Sequence, residues 1–522
     1  LNIDLIFQKA YLAHQNGDFQ SAQKLYEQVL SINNMHFDAL HLLGVLAEQV
    51  GQPRHAVALI YKAVQINPNI ALAHNNLGLA LQALGDFENS IKAFDKSIEL
   101  QNKNFEALFN KANSLSELGR YGEALDFYNK SIEQNSEFAP AYNNRGNVHQ
   151  ELNNLDNALD DFHKATQISS NYPQAYANMG NIQQELGEFE QAMLNYDRAI
   201  ALSPDDAETN WNKSLLLLLM GKYEEGLKLH EWRWMRNNSD TPKREFKEPL
   251  WLGEESLRGK TILVHGEQGL GDSIQFCRFV KDLSTLGAKV VLEDERALEK
   301  LFTFLDGVTE FIVRGNPLPK FDFHCPMLSL PLALKLTYET VKDLTPYLKP
   351  DEIKVSYWNS KLGPKVRPRV GICWSSVSKF KYDRKRSMSF EEFAKALPEG
   401  EIEYISLQKE TKEDDLFFLA NRTDVRTFGS DLNDLSDTAA LISTLDCVVS
   451  TCTSIPHLSA ALGIKTLTLL SFVPDWRWGV RSSDTNYYKS MQLLRQQTLN
   501  NWESPISEAR NFLLSLTKRK TH

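Results

Sequence analysis

A chain of 522 residues is too long for one ordinary hydrophobic core, and a prior of about 150 residues per domain points to about three. Its formal net charge of −10 leaves no basic field for nucleic acid or an anionic membrane, so neither partner is expected and any basic site must be local. The longest apolar run, Leu215–Met220, falls far short of the roughly 20 residues a spanning helix needs, so stable membrane insertion is not expected. Five cysteines (Cys277, Cys325, Cys373, Cys447 and Cys452) lie in the second half, with no CxxC spacing. They read as reduced thiols of a cytoplasmic protein. No charged n-region and apolar h-region open the chain, which starts on Leu1 instead of Met, so further sequence ahead of it is expected.

From residue 3 to about 236 the sequence repeats with a period of 34 and no insertions. Ala10, Gly44, Gly78, Ala112, Gly146, Gly180 and Ser214 stand one period apart, as do Ala22, Ala56, Ser90, Ala124, Ala158, Ala192 and Gly226. A mostly large apolar column runs through Tyr26, Ile60, Phe94, Tyr128, Phe162, Tyr196 and His230. Turn glycines recur at Gly17, Gly51, Gly85, Gly119, Gly187 and Gly221. Small residues let two paired helices approach, the large residue fills the space between them, and stacked neighbours bury a core that no single unit could make. The pattern resembles the tetratricopeptide repeat, so residues 1–236 are expected to form an α-solenoid superhelix of about seven repeats.

That resemblance implies a concave face built from the first helix of each unit. Asn76, Asn110, Asn144, Asn178 and Asn212 recur at the sixth position of successive units, and Asn113, Asn147 and Asn181 stand three positions later on the same helical face. An amide both donates and accepts, so a ladder of amides suits the backbone of an extended acceptor peptide whatever its side chains. The competing use is bonding between neighbouring turns, which would stabilise the stack. The ladder is similar to that of the eukaryotic O-linked N-acetylglucosamine transferase superhelix, which also precedes a glycosyltransferase. The last unit decays: His230 takes its large position, and Glu231–Met235 (EWRWM) adds two tryptophans expected to dock the repeats onto the remainder of the chain. Residues 237–260, with Pro242, Pro249 and Trp251, read as a linker packed along the surface.

Thr261–Ser273 (TILVHGEQGLGDS) changes the pattern. Thr261–His265 suits a buried parallel strand, and Gly266, Gly269 and Gly271 then let backbone approach a ligand before a helix that starts near Asp272. Three glycines after a strand also make an ordinary tight turn. Asp272 adds chemistry to the corner, because open α/β sheets hold their ligands at the carboxyl ends of strands. The expected order continues with helix 272–285, strand 289–293, helix 295–304, strand 309–313 and a weaker strand at 321–324. An irregular stretch, about 327–366, carries Pro331, Pro346, Pro350 and Pro364. A second series has strands at 370–374, 403–408, 424–428, 446–450 and 465–470, with helices at 412–420, 436–444 and 455–462. This alternation predicts two doubly wound α/β units with a cleft between them.

Four segments of the second series carry chemistry. Gly371–Ser387 (GICWSSVSKFKYDRKRS) ends a strand at Trp374 and continues through Ser375 and Ser376 to a basic loop of Lys379, Lys381, Arg384, Lys385 and Arg386, which is suited to clamp a pyrophosphate and is otherwise a solvated loop. Ser406–Lys409 brings Gln408 and Lys409 to the same edge. In Asp446–Gly463 (DCVVSTCTSIPHLSAALG) the hydroxyls of Thr451, Thr453 and Ser454 cap a helix that carries Pro456 near its first position and ends at Gly463. The free N–H groups of such a helix start make an anion site, and His457 in its first turn either donates to a phosphate or packs as an interior histidine. Val473–Trp478 (VPDWRW) offers aromatic faces and Arg477 at the cleft rim.

Residues 261–515 resemble the GT-B glycosyltransferases of the heptosyltransferase kind, and more closely the bacterial proteins that fuse such a module to tetratricopeptide repeats. The resemblance implies two Rossmann-like domains, 261–366 on the acceptor side and 367–522 on the nucleotide-sugar side. It implies Asp272 as the catalytic base, with Ser375, Ser376, Lys385 or Arg386, Thr453, Ser454 and His457 around the donor. Gln408, Lys409 and Arg477 join the donor set by their place at the strand ends. Neither a metal nor a cofactor beyond the nucleotide-sugar co-substrate is expected. One departure matters: the loop normally carries an aspartate ahead of the threonine, and here that position is Cys452, which leaves the donor sugar open. The implied activity is transfer of a sugar to Ser or Thr of an acceptor protein held in the repeat groove, with a flagellin-like acceptor as one class. The alternatives are a non-catalytic adaptor with a decayed module and a transferase acting on lipid-linked saccharide.

Overall fold

A computed structural model describes residues 2–236, 243–341, 343–376 and 386–518. It falls into two compact units, Leu1–Ile182 with Leu194–Pro204, and Gln183–Met193 with Asp205–His522. The first unit stacks helical hairpins: Ile3–Gln15 with Phe19–Ile32, Phe37–Gln49 with Pro53–Ile66, Ala71–Ala83 with Phe87–Leu100, Phe105–Glu117 with Tyr121–Gln134, and Ala139–Glu151 with Leu155–Ile168. A sixth pair, Pro173–Glu185 and Phe189–Leu202, runs through the boundary. The small and large columns of the sequence meet as a distance. A Cβ added at Gly146 would lie 2.7 Å from the Phe162 ring, and one at Gly180 2.7 Å from the Tyr196 ring. Tyr26, Phe94 and Phe162 are fully buried, and each such ring contributes roughly 1.5–3 kcal/mol of burial. Where the turn glycine is missing, Asn153 takes the left-handed conformation at φ 61°.

The second unit begins with a seventh hairpin, Ala207–Leu219 with Tyr223–His230, which a single 3₁₀ segment, Glu231–Met235, extends. This hairpin groups with the α/β part in the second unit. Two wholly parallel sheets come next. The first holds β1 (Thr261–His265), β2 (Lys289–Asp294), β3 (Val308–Val313) and β4 (Phe323–Pro326) in the order β3-β2-β1-β4. The second holds β5 (Arg369–Cys373), β6 (Glu403–Ser406), β7 (Val425–Thr427), β8 (Cys447–Thr451), β9 (Thr466–Leu470) and β10 (Met491–Arg495) in the order β10-β9-β8-β5-β6-β7. Each sheet reverses direction beside its first strand, the arrangement that opens a crevice at the carboxyl edge.

Several elements differ from expectation. The helix expected over 272–285 breaks into Leu270–Phe276, a 3₁₀ turn at Cys277–Phe279 and Val280–Thr285. The stretch 327–366 contains a regular helix, Glu352–Leu362, capped by Asp351, whose side chain accepts from Ile353 N and Lys354 N. β10 and the closing helix Glu503–Lys518 complete the second sheet's layer.

The seventh hairpin is anchored by a charge. Arg233, between the two tryptophans expected to dock, is 3% exposed. Its Nε donates to Glu267 Oε2 at 2.8 Å and its Nη2 to Glu267 Oε1 at 3.0 Å, while Nη1 donates to Glu231 at 2.6 Å and Nη2 to Ser329 Oγ at 2.7 Å. Leu328 N also donates to Glu267 at 3.0 Å, and the Arg233 guanidinium lies 4.4 Å from the Trp234 ring. The described part of the linker packs on the first sheet: Leu250 bridges His324, Trp251 N donates to His324 O at 2.8 Å, and Phe246 rests 4.6 Å from the His324 ring. Removing one member of a buried ion pair strands the other, so Arg233→Met should lower the stability of the second unit by about 3–5 kcal/mol in denaturant unfolding. The double substitution Arg233→Met with Glu267→Leu should recover most of that loss.

Candidate functional site

The carboxyl ends of the two sheets meet around Asp272. Gly269 precedes the short helix Leu270–Phe276, and Asp272 reaches back to accept from Gly269 N at 3.0 Å, closing the corner on itself. A Cβ at Gly266 would stand 2.5 Å from the Asp294 carboxyl carbon, so this glycine makes room for an acid of β2. Gly271 faces the other sheet. A Cβ there would lie 3.4 Å from the His457 ring and 3.5 Å from Ser454 Cα, so the two helix starts abut and the expected cleft is closed at this point.

Across the junction, Thr453 caps the helix Ser454–Ala461 by accepting from Ile455 N at 3.3 Å. Cys373 Sγ donates to Gln408 Oε1 at 2.8 Å, Gln408 Nε2 donates to Ser375 Oγ at 3.4 Å, and Thr453 Oγ1 lies 3.7 Å from Cys373 Sγ. Ser375, Gln408 and Thr453 thus gather at the ends of β5, β6 and β8, where the strand order reverses. Ser376 N donates to Ser387 Oγ at 3.1 Å. Lys409 is exposed and donates to the Asn433 carbonyl at 3.5 Å. Arg386 is half-buried, and its charge acts on Asp272, Cys452 and His457. Lys385, with Lys379, Lys381 and Arg384, lies outside the described residues.

Two expected donor contacts have other partners. Arg477, 7% exposed, places Nη2 on Asp272 and Nη1 at 2.8 and 3.0 Å from the two oxygens of Asp475. Burial raises the Asp272 carboxyl above the usual aspartate range against the pull of Arg477, while Asp475, which burial would also raise, is brought below that range by Arg477. His457 packs as an interior ring. Its Nδ1 meets the Tyr488 hydroxyl at 3.0 Å, its ring stacks on Trp478 at 4.9 Å, and burial pushes its pKa down to about 3. It therefore brings no positive charge to a phosphate. The Trp478 indole donates to Cys452 Sγ at 3.1 Å, and burial pushes that thiol up to about 11, so Cys452 is neutral.

Asp475 and Tyr488 do not stand out in the sequence, although the DWR order in VPDWRW holds the signal for the first. Arg278 has no sequence signal at all. It is 2% exposed, donates to Tyr487 O at 2.7 Å and Tyr347 Oη at 3.0 Å, and lies 4.5 Å from the Tyr347 and Tyr488 rings.

In the repeats, the amides bond to one another between units. Asn76 Nδ2 meets His41 Nε2 at 3.0 Å, Asn110 donates to Asn75 at 3.3 Å, Asn144 to Asn113 at 2.9 Å, and Asn178 to Asn143 at 3.1 Å and Asn147 at 3.0 Å. Tyr128 donates to Asn113 at 2.6 Å and Tyr196 to Asn181 at 2.8 Å, which ties the large column into the same network. The stack-stabilising use of the ladder is therefore present, and its asparagines stay half-buried. Asn212 falls in the second unit.

His457 and His265 are both pushed down to about 3 by burial, against an ordinary 6.5. Between those values the unfolded chain binds more protons, so the stability they support is complete above about pH 6.5 and is lost as the pH falls toward 3. The melting temperature of the second unit should fall steadily from pH 7 to pH 4.5, and His457→Phe should flatten that fall; an equal slope in both proteins would contradict the burial argument.

Comparison with known proteins bears mainly on the first unit. Protein FlbA of Caulobacter vibrioides is 28% identical over 290 residues, which cover 51% of this chain and 48% of FlbA, so the chain spans about half the length of that curated relative. The crystal structure of MamA is similar at 23% identity with a TM-score of 0.31, covering 32% of this chain and 92% of MamA. PilF of Pseudomonas aeruginosa is similar at 21% identity with a TM-score of 0.35, covering 39% of this chain and 93% of PilF. Family models described as tetratricopeptide repeat match residues 3–34, 37–70, 69–137, 139–172 and 173–206. The hairpins over these residues are tetratricopeptide repeats, whose stacked surfaces suit protein partners.

Proposed function

We propose that the chain is a GT-B protein glycosyltransferase, moving a sugar from a nucleotide-sugar to Ser or Thr of an acceptor protein held by the repeats. The observation that carries this reading is the meeting of two parallel carboxyl edges, with the buried carboxyl of Asp272 on one and the Ser375, Gln408 and Thr453 cluster beside a capped helix start on the other. In the proposed step the acceptor hydroxyl oxygen forms a bond to the anomeric carbon. The bond from that carbon to the diphosphate oxygen breaks, Asp272 takes the hydroxyl proton, and the nucleotide diphosphate leaves. Arg386 and the N–H at the helix start of Ser454 would meet the leaving charge, the kind of preorganised donors that commonly supply the largest catalytic term. A carboxyl raised by burial suits a base working near neutral pH. On the acceptor side, an amide has two donors and two lone pairs, more than the bonds between units consume, so the ladder retains capacity for a peptide backbone. A flagellin-like acceptor and a cytoplasmic setting rest on resemblance alone.

A second reading has specific support: the chain as a protein-binding adaptor whose α/β part no longer transfers sugar. Arg477 occupies Asp272, Gly271 lies against Ser454, and Cys452 stands where the resemblance implies an aspartate. Thermal-shift measurements against UDP-, GDP-, ADP- and CMP-sugars separate the two, because a ligand that binds the native state raises the melting temperature by mass action. For an enzyme, one donor should stabilise the protein, and Asp272→Asn should keep that shift while transfer falls about 10²-fold or more. No shift with any donor supports the adaptor.

Changing Asn110, Asn144 and Asn178 to alanine tests the acceptor side. Each lost hydrogen bond is worth about 0.5–1.5 kcal/mol, so acceptor affinity should drop roughly tenfold to thousandfold, with a lower melting temperature for the first unit because the same amides link its repeats. Donor hydrolysis should persist. Normal transfer to protein by this variant would put the acceptor elsewhere.

A further inference from the structure

The guanidinium that meets Asp272 is itself fixed. Asp475 Oδ1 accepts from Arg477 N at 3.1 Å as well as from Nη1, so one carboxylate holds both the backbone of the Trp476–Trp478 turn and the side chain on it. Trp476 lies 4.5 Å from the guanidinium and packs against Phe276 at 6.2 Å and against Tyr223 and His230 of the seventh hairpin at 6.1 and 6.4 Å. The turn is therefore wedged between the last hairpin and the helix that carries Asp272. Asp272, by contrast, stands in a seven-residue helix that follows Gly269 and carries Gly271. Both terminal nitrogens of Arg477 meet carboxylates, so its charge is balanced by Asp272 and Asp475.

We propose that Arg477, fixed by Asp475, is the positioning residue of Asp272, orienting its carboxylate across the junction of the two sheets instead of binding the donor. This rests on the reading of Asp272 as the base. Among the described residues, the charged and titratable groups acting on Asp272 include Arg477, Asp475 and Arg386. Those acting on Arg477 include Asp272, Asp475 and Tyr487, and its charge in turn reaches Tyr223, His230 and His457. With Arg477 neutralised, burial acts on Asp272 with less opposition, so its acidity must weaken. A lysine keeps the charge but loses the planar fork that serves two carboxylates at once.

The test is a carboxyl-carbon NMR titration of the full chain with labelled aspartate, the Asp272 signal being identified by its loss in Asp272→Asn. In Arg477→Met the Asp272 midpoint should rise by about one pH unit or more, with Arg477→Lys between it and the wild type. Asp475→Asn removes a negative charge that raises the Asp272 carboxyl and so should move the midpoint the other way, while Arg477→Lys serves if Arg477→Met melts too low to study. Affinity for any nucleotide that stabilises the wild type should be unchanged, and the acid limb of the transfer rate should move with the midpoint. An unmoved midpoint overturns the proposal, and does so doubly if nucleotide affinity falls about tenfold or more, the mark of a donor contact. A moved midpoint with an unaltered transfer profile upholds the positioning contact and instead overturns Asp272 as the base.

Discussion

Arg233 brings its charge into the interior at the crevice of the first sheet, and the second unit is assembled around that burial. Two carboxylates, a serine hydroxyl and the Leu328 amide complete the shell, so no member is left uncompensated in low dielectric. Its consequence is geometric. By tying the seventh hairpin to Glu267 of the glycine corner, it also sets Tyr223 and His230 where Trp476 packs, and Trp476 carries the neighbour that meets Asp272. A hairpin that belongs to the repeats by sequence period belongs to the α/β part by packing.

Among the described residues, several candidate charges at the junction between the sheets are neutral or balanced. His457 is neutral, Cys452 is neutral, Arg477 is balanced by two acids, and Arg278 is enclosed by tyrosines. At Gly271 a Cβ would stand 3.5 Å from Ser454 Cα, an ordinary contact distance, so the two carboxyl edges lie close here without requiring glycine.

Much of the architecture was legible because it depends on local period. The 34-residue spacing of Gly146, Gly180, Phe162 and Tyr196 is the spacing of ring against backbone in each hairpin. The alternation after Thr261 marked nine of the ten strands described, with ends off by one or two residues. The exception, β10, reads MQLLR, where Gln492 and Arg495 break the apolar run of an edge strand. The helix Glu352–Leu362 was hidden by prolines on either side, which delimit it without entering it.

The site was legible as a set of positions and not as a set of partners. Sequence alone determined that Gly271, Asp272, Ser375, Gln408 and Thr453 lie at the carboxyl ends of strands, since a strand followed by a glycine turn or a capped helix leaves them nowhere else. Only the tertiary structure decided that Arg477 meets an aspartate 205 residues away, that His457 is buried neutral, and that the asparagine amides bond from repeat to repeat. The reason is that charge state and hydrogen-bond partner depend on what excludes water from a group, and that is set by chains distant in sequence brought together by packing.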